Sequence, residues 1–251
     1  MRITHISDTH NKHNGLNGKL PGGELLIHSG DFTSIGRKHE TESFIKWFSK
    51  QDYLHKVFIA GNHDLTFQSE KLYQQKAAHF ERRVFDTPGS EGKPEWLKEL
   101  LGNLPEGVYY LENSSIKLGG INIWGSPYSP TFGYDWAFNA DRGGQIADIW
   151  SEIPSDADIV VTHGPIYGYC DVTGRNYENV GCNDLFQKLA EVKPHLHFSG
   201  HIHEAYGYKE IQFGDWNGYA FNGSTCNLIY EPSNPPITFD YNFETKELDF
   251  I

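Results

Sequence analysis

Five short polar clusters, each standing directly behind an apolar run, constrain this chain more than any other feature. They are Asp8-Thr9-His10, Gly30-Asp31, Gly61-Asn62-His63-Asp64, Thr162-His163-Gly164 and Gly200-His201-Ile202-His203. The apolar runs read as strands, so each cluster lies just past a strand end, where α/β sheets gather ligand-binding groups in one crevice. Asp8 and His10 are two residues apart, as are His201 and His203, and in extended backbone such pairs point to the same side. Gly30, Gly61, Gly164 and Gly200 permit tight turns and close approach of the backbone to a bound group, and Gly164-Pro165 ends its strand sharply. Besides His63 and Asp64, the clusters together supply two carboxylates, one of them free to be shared, an amide and four imidazoles. Two divalent ions with a common bridging group need about that set, and its mixed Asp/Asn/His chemistry suits manganese, iron or zinc better than calcium.

Elsewhere strands and helices alternate. Residues 3–7, 25–27, 56–60, 159–161 and 196–199 read as the strands that deliver the clusters. Helical spacing covers 39–51, with Phe44, Trp47 and Phe48 on one face, and helices are also predicted over 65–83, from near Arg142, and over 184–192. Residues 108–111, 115–118 and 121–124 read as strands, the last two joined by Gly119-Gly120 in a hairpin. The stretch 88–94 reads as loop, and 236–251 as a terminal hairpin turning across Glu244-Thr245-Lys246. Strands delivering ligands from residue 8 to residue 203 tie both halves into one site, so residues 1–251 are expected to form a single domain.

Composition sets outer bounds. A chain of 251 residues with 38% hydrophobic content, including six Trp, sixteen Phe and fourteen Tyr, can bury a large core. Its net charge of -12 counts against binding to nucleic-acid polymers, although bound divalent cations would reverse the sign locally. Three cysteines, Cys170, Cys182 and Cys226, are too few for a disulfide scaffold. No signal peptide and no membrane span are recognisable. A cytoplasmic chain without membrane contact is the expectation.

The ordered set of five clusters resembles that of the calcineurin-like metallophosphoesterases. The resemblance implies a four-layer αββα sandwich, with two mixed sheets face to face and a dinuclear metal site at the strand C-terminal edge. It implies that Asp8, His10 and His203 hold one metal, that Asn62, His163 and His201 hold the other, and that Asp31 bridges them. His63 would face the phosphate as acid or charge stabiliser, and Asp64 would orient His63. The implied reaction is in-line attack on phosphorus by a hydroxide bridging the two metals. His28-Ser29-Gly30-Asp31-Phe32-Thr33, Trp124-Gly125-Ser126-Pro127, Tyr134-Asp135-Trp136-Ala137-Phe138-Asn139 and Asn234-Pro235-Pro236-Ile237 carry a narrower resemblance. It is to the metallophosphoesterase-domain-containing branch, related to class III cyclic-nucleotide phosphodiesterases. A small phosphodiester substrate follows, with cyclic nucleotides as candidates. Some members of that branch lack the first histidine of the Gly-His-x-His cluster; this chain keeps it as His201. The alternatives are a phosphomonoesterase or protein phosphatase with the same site, and a scaffold that has lost its chemistry.

Other residues have plainer readings. His28 sits in an apolar run and reads as a core histidine, and His195 and His197 as lining one strand face. His13 is a candidate for substrate contact. The loop with Trp136, Phe138, Asn139 and Arg142 reads either as a packed lid or as a wall that stacks on a base and offers Arg142 to a phosphate. Cys170 and Cys182 read as buried thiols.

Overall fold

Consecutive apolar residues along a strand face opposite sides of its sheet, and in this chain both sides are covered. The computed structural model describes residues 1–85, 88–133, 135–174 and 176–251. Its strands, in chain order, are β1 (Arg2–Ile6), β2 (Gly23–Ser29), β3 (Tyr53–Ile59), β4 (Val108–Tyr110), β5 (Ser114–Leu118), β6 (Ile121–Ser126) and β7 (Ser129–Pro130). They continue with β8 (Asn139–Ala140), β9 (Ile159–Thr162), β10 (Leu196–Ser199), β11 (Gly207–Phe213), β12 (Trp216–Asn222), β13 (Ile237–Tyr241) and β14 (Leu248–Phe250). The helices are α1 (Lys38–Phe48), α2 (Leu65–Gln68), α3 (Glu70–Glu81), α4 (Glu95–Gly102), α5 (Gly144–Ser151) and α6 (Asn183–Val192).

One six-stranded sheet has the order β14-β13-β1-β2-β3-β4, and the other β11-β12-β10-β9-β6-β5. Both are mixed. In the first, β1 to β4 run parallel while β13 and β14 are antiparallel. In the second, β12, β10, β9 and β6 run parallel between two antiparallel edges. Alternation along the strands builds three cores. Leu25, Ile27, Val57 and Ile59 meet Ile123, Ile159, Val161, Phe198 and Phe221 between the sheets. Leu26 and Phe58 turn outward onto Phe44 and Phe48 of α1. Trp124, Val160 and Ala220 turn the other way onto Ile146 and Trp150 of α5 and Leu185 and Leu189 of α6. The layers are therefore αββα, as expected.

This arrangement brings the five clusters to one edge. Asp8, Asp31 and Asn62 follow the parallel neighbours β1, β2 and β3, and His163 and His201 follow β9 and β10. The two sheets are stitched together there, because Ser7 N donates to Gly223 O (2.8 Å) and Thr225 N to Ser7 O (2.8 Å).

Three details differ from the sequence expectations. The helix over 65–83 breaks at Ser69, whose hydroxyl accepts from Leu72 N and caps α3. Helix α4 follows the 88–94 loop, and a β11/β12 hairpin occupies 207–222; neither was anticipated. The predicted hairpins at 119–120 and in the tail are present. Tyr134 of the resemblance motif lies outside the described residues.

Candidate metal centre

The cluster residues converge from both sheets. Ligand atoms of Asp8, His10 and His203 lie within 4.8 Å of one another, as do those of Asp31, His163 and His201, and those of His10, Asp31 and His63. Asp31 thus belongs to two groups and stands between the halves of the centre. In one half His10 Nε2 and His203 Nε2 face each other at 3.2 Å, and His203 Nε2 lies 3.4 Å from Asp8 Oδ1. In the other, His163 Nε2 lies 2.8 Å from Asn62 Oδ1 and 3.4 Å from Asp31 Oδ2. The seven residues expected as ligands are all here.

Backbone geometry shows how tightly they are held. Asp8, His10, Asp31 and His201 all have positive φ, between 41° and 67°, a region non-glycine residues seldom adopt except under local constraint. At Gly200 a Cβ would fall 2.1 Å from Asp8 Oδ2, and at Gly61 one would fall 2.4 Å from Asp31 Oδ1. These glycines let the loops close on the carboxylates. His163 Nδ1 lies 2.9 Å from Ser29 O and His203 Nδ1 3.0 Å from Asn227 O. A carbonyl can only accept, so each Nδ1 carries the hydrogen and each Nε2 is aimed inward as a ligating nitrogen would be.

The electrostatics follow from burial and from the two carboxylates. Burial pushes His10 and His201 down to about 3, helped by His63 and His163 respectively. Burial also opposes a charge on His163 and His203, but the adjacent Asp31 and Asp8 outweigh it and lift each to about 9. Asp8 and Asp31 lie lowered from the ordinary carboxylate range, because the surrounding imidazoles overcome the cost of burial.

The expectation for Asp64 needs correction. It does not orient the His63 ring: His63 Nδ1 sits 2.7 Å from Ser34 O instead. Asp64 precedes α2 without capping it through its side chain, and its carboxylate turns back into the loops after β2 and β3. There it accepts from Asp31 N (2.9 Å), Gly61 N (2.8 Å), Thr33 N (2.9 Å) and Thr33 Oγ1 (2.6 Å). Asp64 therefore clamps the loops that carry Asp31 and Asn62. Burial and the Asp31 charge push it up to about 8, against those donors. His63 N in turn donates to Asp31 Oδ1 at 2.7 Å.

Above the centre opens a cleft of about 220 Å³ walled by Phe132, Trp136, Leu228 and Tyr230, with Glu204 at its side. Trp136 lies against His63 with ring centroids 4.4 Å apart, and Tyr230 lies 4.7 Å from His10. Trp136 is thus a wall of the site, as one of its two readings had it. Arg142 is not free for a phosphate, since it donates to Gly181 O (2.8 Å) and Val180 O (2.7 Å). His13 is tucked beside Trp47 and bonded to Ser43, away from the cleft. His28 is a core histidine, held by Thr9 and packed on Phe44. His197 is likewise buried and bonded to Thr162. All three cysteines are buried and unpaired. Sequence reasoning missed Tyr230, Phe132, Ser224 and the carbonyls of Ser29, Ser34 and Asn227, because backbone acceptors and loop positions leave no residue-type signal.

These residues fit divalent metals. Asp8 and Asp31 are buried, and among the described residues the ion-pair partners within 4 Å of them are all imidazoles. Two buried carboxylates with inward imidazole nitrogens and no Lys or Arg form a donor set that a cation completes. A family model for calcineurin-like phosphoesterases matches residues 1–205. The chain is 37% identical over 240 residues to metallophosphoesterase domain-containing protein 1 of Homo sapiens, an alignment covering 95% of this chain and 70% of that one. It shares its fold with phosphopantetheinyl hydrolase of Mycobacterium tuberculosis, with TM-score 0.57, 13% identity, and 91% and 90% of the two chains covered. The protein TT1561 of Thermus thermophilus also has TM-score 0.57, with 12% identity over 100% of this chain and 97% of its own. The chain belongs to the calcineurin-like phosphoesterase family.

Proposed function

We propose that this chain is a metal-dependent phosphodiesterase for small substrates, cyclic nucleotides among them, using manganese, iron or zinc in a reducing, cytoplasmic setting. One observation carries the reaction class: Asp31 is shared by two converging donor groups, one with His163 and His201 and the other with His10 and His63. When bound, two divalent ions would supply a water activated at neutral pH and neutralise the phosphoryl oxygens. The chain's own contribution is positional. Asp8, His10 and His203 would hold one ion, Asn62, His163 and His201 the other, and Asp31 both. His63, its ring fixed by the Ser34 carbonyl and Trp136, would turn Nε2 toward the phosphate to stabilise developing charge or to protonate the leaving oxygen. Asp64 keeps the amides of Asp31 and Gly61 in register.

The preference for diesters rests on cleft charge. Its described lining includes no Lys or Arg, while Glu204 adds a negative group. A dianionic monoester is repelled more by such a wall than a monoanionic diester. The buried, unpaired cysteines support the reducing compartment, and among the described residues no helix is long and apolar enough to cross a membrane. The test is a rate comparison with added Mn²⁺ on bis-p-nitrophenyl phosphate, p-nitrophenyl phosphate and cyclic nucleotides, with metal content measured on the same preparation. Faster turnover of the diester is expected; a preference for the monoester, or no metal uptake, would overturn the reading.

A further inference from the structure

The cleft above the metal centre is not the only space beside His201. Behind Phe132 lies a second cavity of about 320 Å³, and His201 and Phe132 line both spaces. Its other walls are mainly apolar, formed by Pro130, Pro165, Val180 and Ile202. Phe132 N donates to Asn139 Oδ1 at 2.9 Å, and the Phe132 ring rests 4.5 Å from that of His201. Arg142, the one cation on the described lining, donates to the carbonyls of Val180 and Gly181 and so braces the far wall.

We propose that this cavity receives the retained arm of a phosphodiester, an uncharged, ring-sized organic group, while the leaving arm departs on the His63 side between Trp136 and Tyr230. The proposal rests on the diester reading. An acyclic diester has two separate organic substituents, and in-line displacement sends only one of them away; in a cyclic nucleotide both ester oxygens belong to one retained group, so the cavity serves acyclic diesters. The retained arm stays attached to phosphorus and needs a separate space that adjoins the reacting centre. A monoester has no use for it. The cavity meets the requirement, since it touches His201 on one side of the centre while Trp136 and Tyr230 flank His63 on the other. Apolar walls reward an uncharged arm by removing its surface from water. Binding energy gained away from phosphorus can then fix the ester for reaction.

The test keeps the leaving group constant and varies only the retained arm. Bis-p-nitrophenyl phosphate and methyl p-nitrophenyl phosphate both release p-nitrophenolate, so the ratio of their kcat/KM values reports on the cavity. Val180 is half-buried, lines the cavity and is not itself one of the metal-ligating groups. Val180→Phe should lower the ratio of aryl to methyl ester by about tenfold or more, and Val180→Ala should leave it equal or higher. An unchanged ratio in Val180→Phe would overturn the proposal. Calorimetry supplies a second readout on Mn²⁺-loaded protein, with diphenyl phosphate against dimethyl phosphate. Tighter binding of the diphenyl ester that is lost in Val180→Phe supports the cavity, and equal affinities refute it. If wild type cleaves neither diester, the functional reading fails, and the calorimetric comparison decides the cavity alone.

Discussion

The two halves of the metal centre hold similar donors but are anchored differently. The half built from Asp31, Asn62, His163 and His201 is braced by residues close to its own strands: the Ser29 carbonyl behind His163, and Asp64 behind Asp31 and Gly61. The half built from Asp8, His10 and His203 leans on the loop after β12. Ser224 Oγ donates to Asp8 Oδ2 (3.0 Å), Asn227 O accepts from His203 Nδ1, and Tyr230 covers His10. All three lie past residue 205, where the family match ends. The lesson is that the clusters mark the candidate ligands, while the geometry of one half is set by a segment that carries no cluster.

Asp31 belongs to both halves, so its loss should erase the distinction. Asp31→Asn keeps the shape but removes the shared charge, and turnover should fall by roughly three orders of magnitude or more with an unchanged circular-dichroism spectrum. Near wild-type turnover would sink the assignment of Asp31 as the shared ligand. Asn62→Ala should act only on its own half, and metal analysis showing one ion retained would separate the two.

His63 stands at the junction, its amide on Asp31 and its ring against Trp136. In His63→Ala both metals should stay, while turnover drops about 10²- to 10⁴-fold, the usual weight of a proton donor or charge stabiliser. Loss of metal instead would make His63 a ligand, which its membership of the group with His10 and Asp31 leaves geometrically open.

Much of this was legible in the sequence for a physical reason. Buried parallel strands are short apolar runs, and ligands at their ends are unusual residue types beside glycine, so 25–27 before Asp31 and 159–161 before His163 announce both strand and site. The sandwich follows from covering both sheet faces, visible in Leu25, Leu26 and Ile27 taking alternate cores. What was hidden depends on neighbours. The partner of His63 is a backbone carbonyl, which any residue at position 34 would supply, so adjacency alone suggested Asp64. In the β11/β12 hairpin, β11 carries exposed residues such as Lys209 and Glu210 around the buried Ile211, and its strand character comes from pairing with β12, which lies beside β10.

Ser224 tests the tail-anchored half directly. Ser224→Ala removes one donor to Asp8 but leaves the His201 amide, so the effect should be moderate. Metal affinity in that half should weaken about 10- to 100-fold, while the Asp31 half keeps its affinity. Two classes of site in a Mn²⁺ titration of the variant, against one in wild type, is the expected outcome. Equal weakening of both halves would show that the centre responds as a unit, and the comparison would lose its meaning.

The subtlest difference concerns charge, and pH reads it in chelated protein. His163 and His203 are each held up to about 9, one by Asp31 and the other by Asp8, with burial opposing both. Their unfolded value is about 6.5. A group whose folded pKa is raised stabilises the fold fully below its unfolded value and loses that contribution as pH rises through the folded one. In EDTA, stability should therefore fall between pH 7 and pH 9 by up to about 1 kcal/mol per pH unit for each histidine, lowering Tm by several degrees in all. His10 and His201, pushed down to about 3, stay neutral in this window and add nothing to the slope. Saturating Mn²⁺ should flatten the slope, because the ion takes the place of the protons on the same nitrogens. His163→Gln and His203→Gln should each remove a comparable share of it, the remainder coming from Asp64, whose buried carboxyl is also pushed up to about 8 and loses its proton in the same window. If one variant abolishes the whole slope, the halves differ in charge as well as in anchoring; if neither changes it, the ion pairs with Asp31 and Asp8 do not govern the stability of the chelated site.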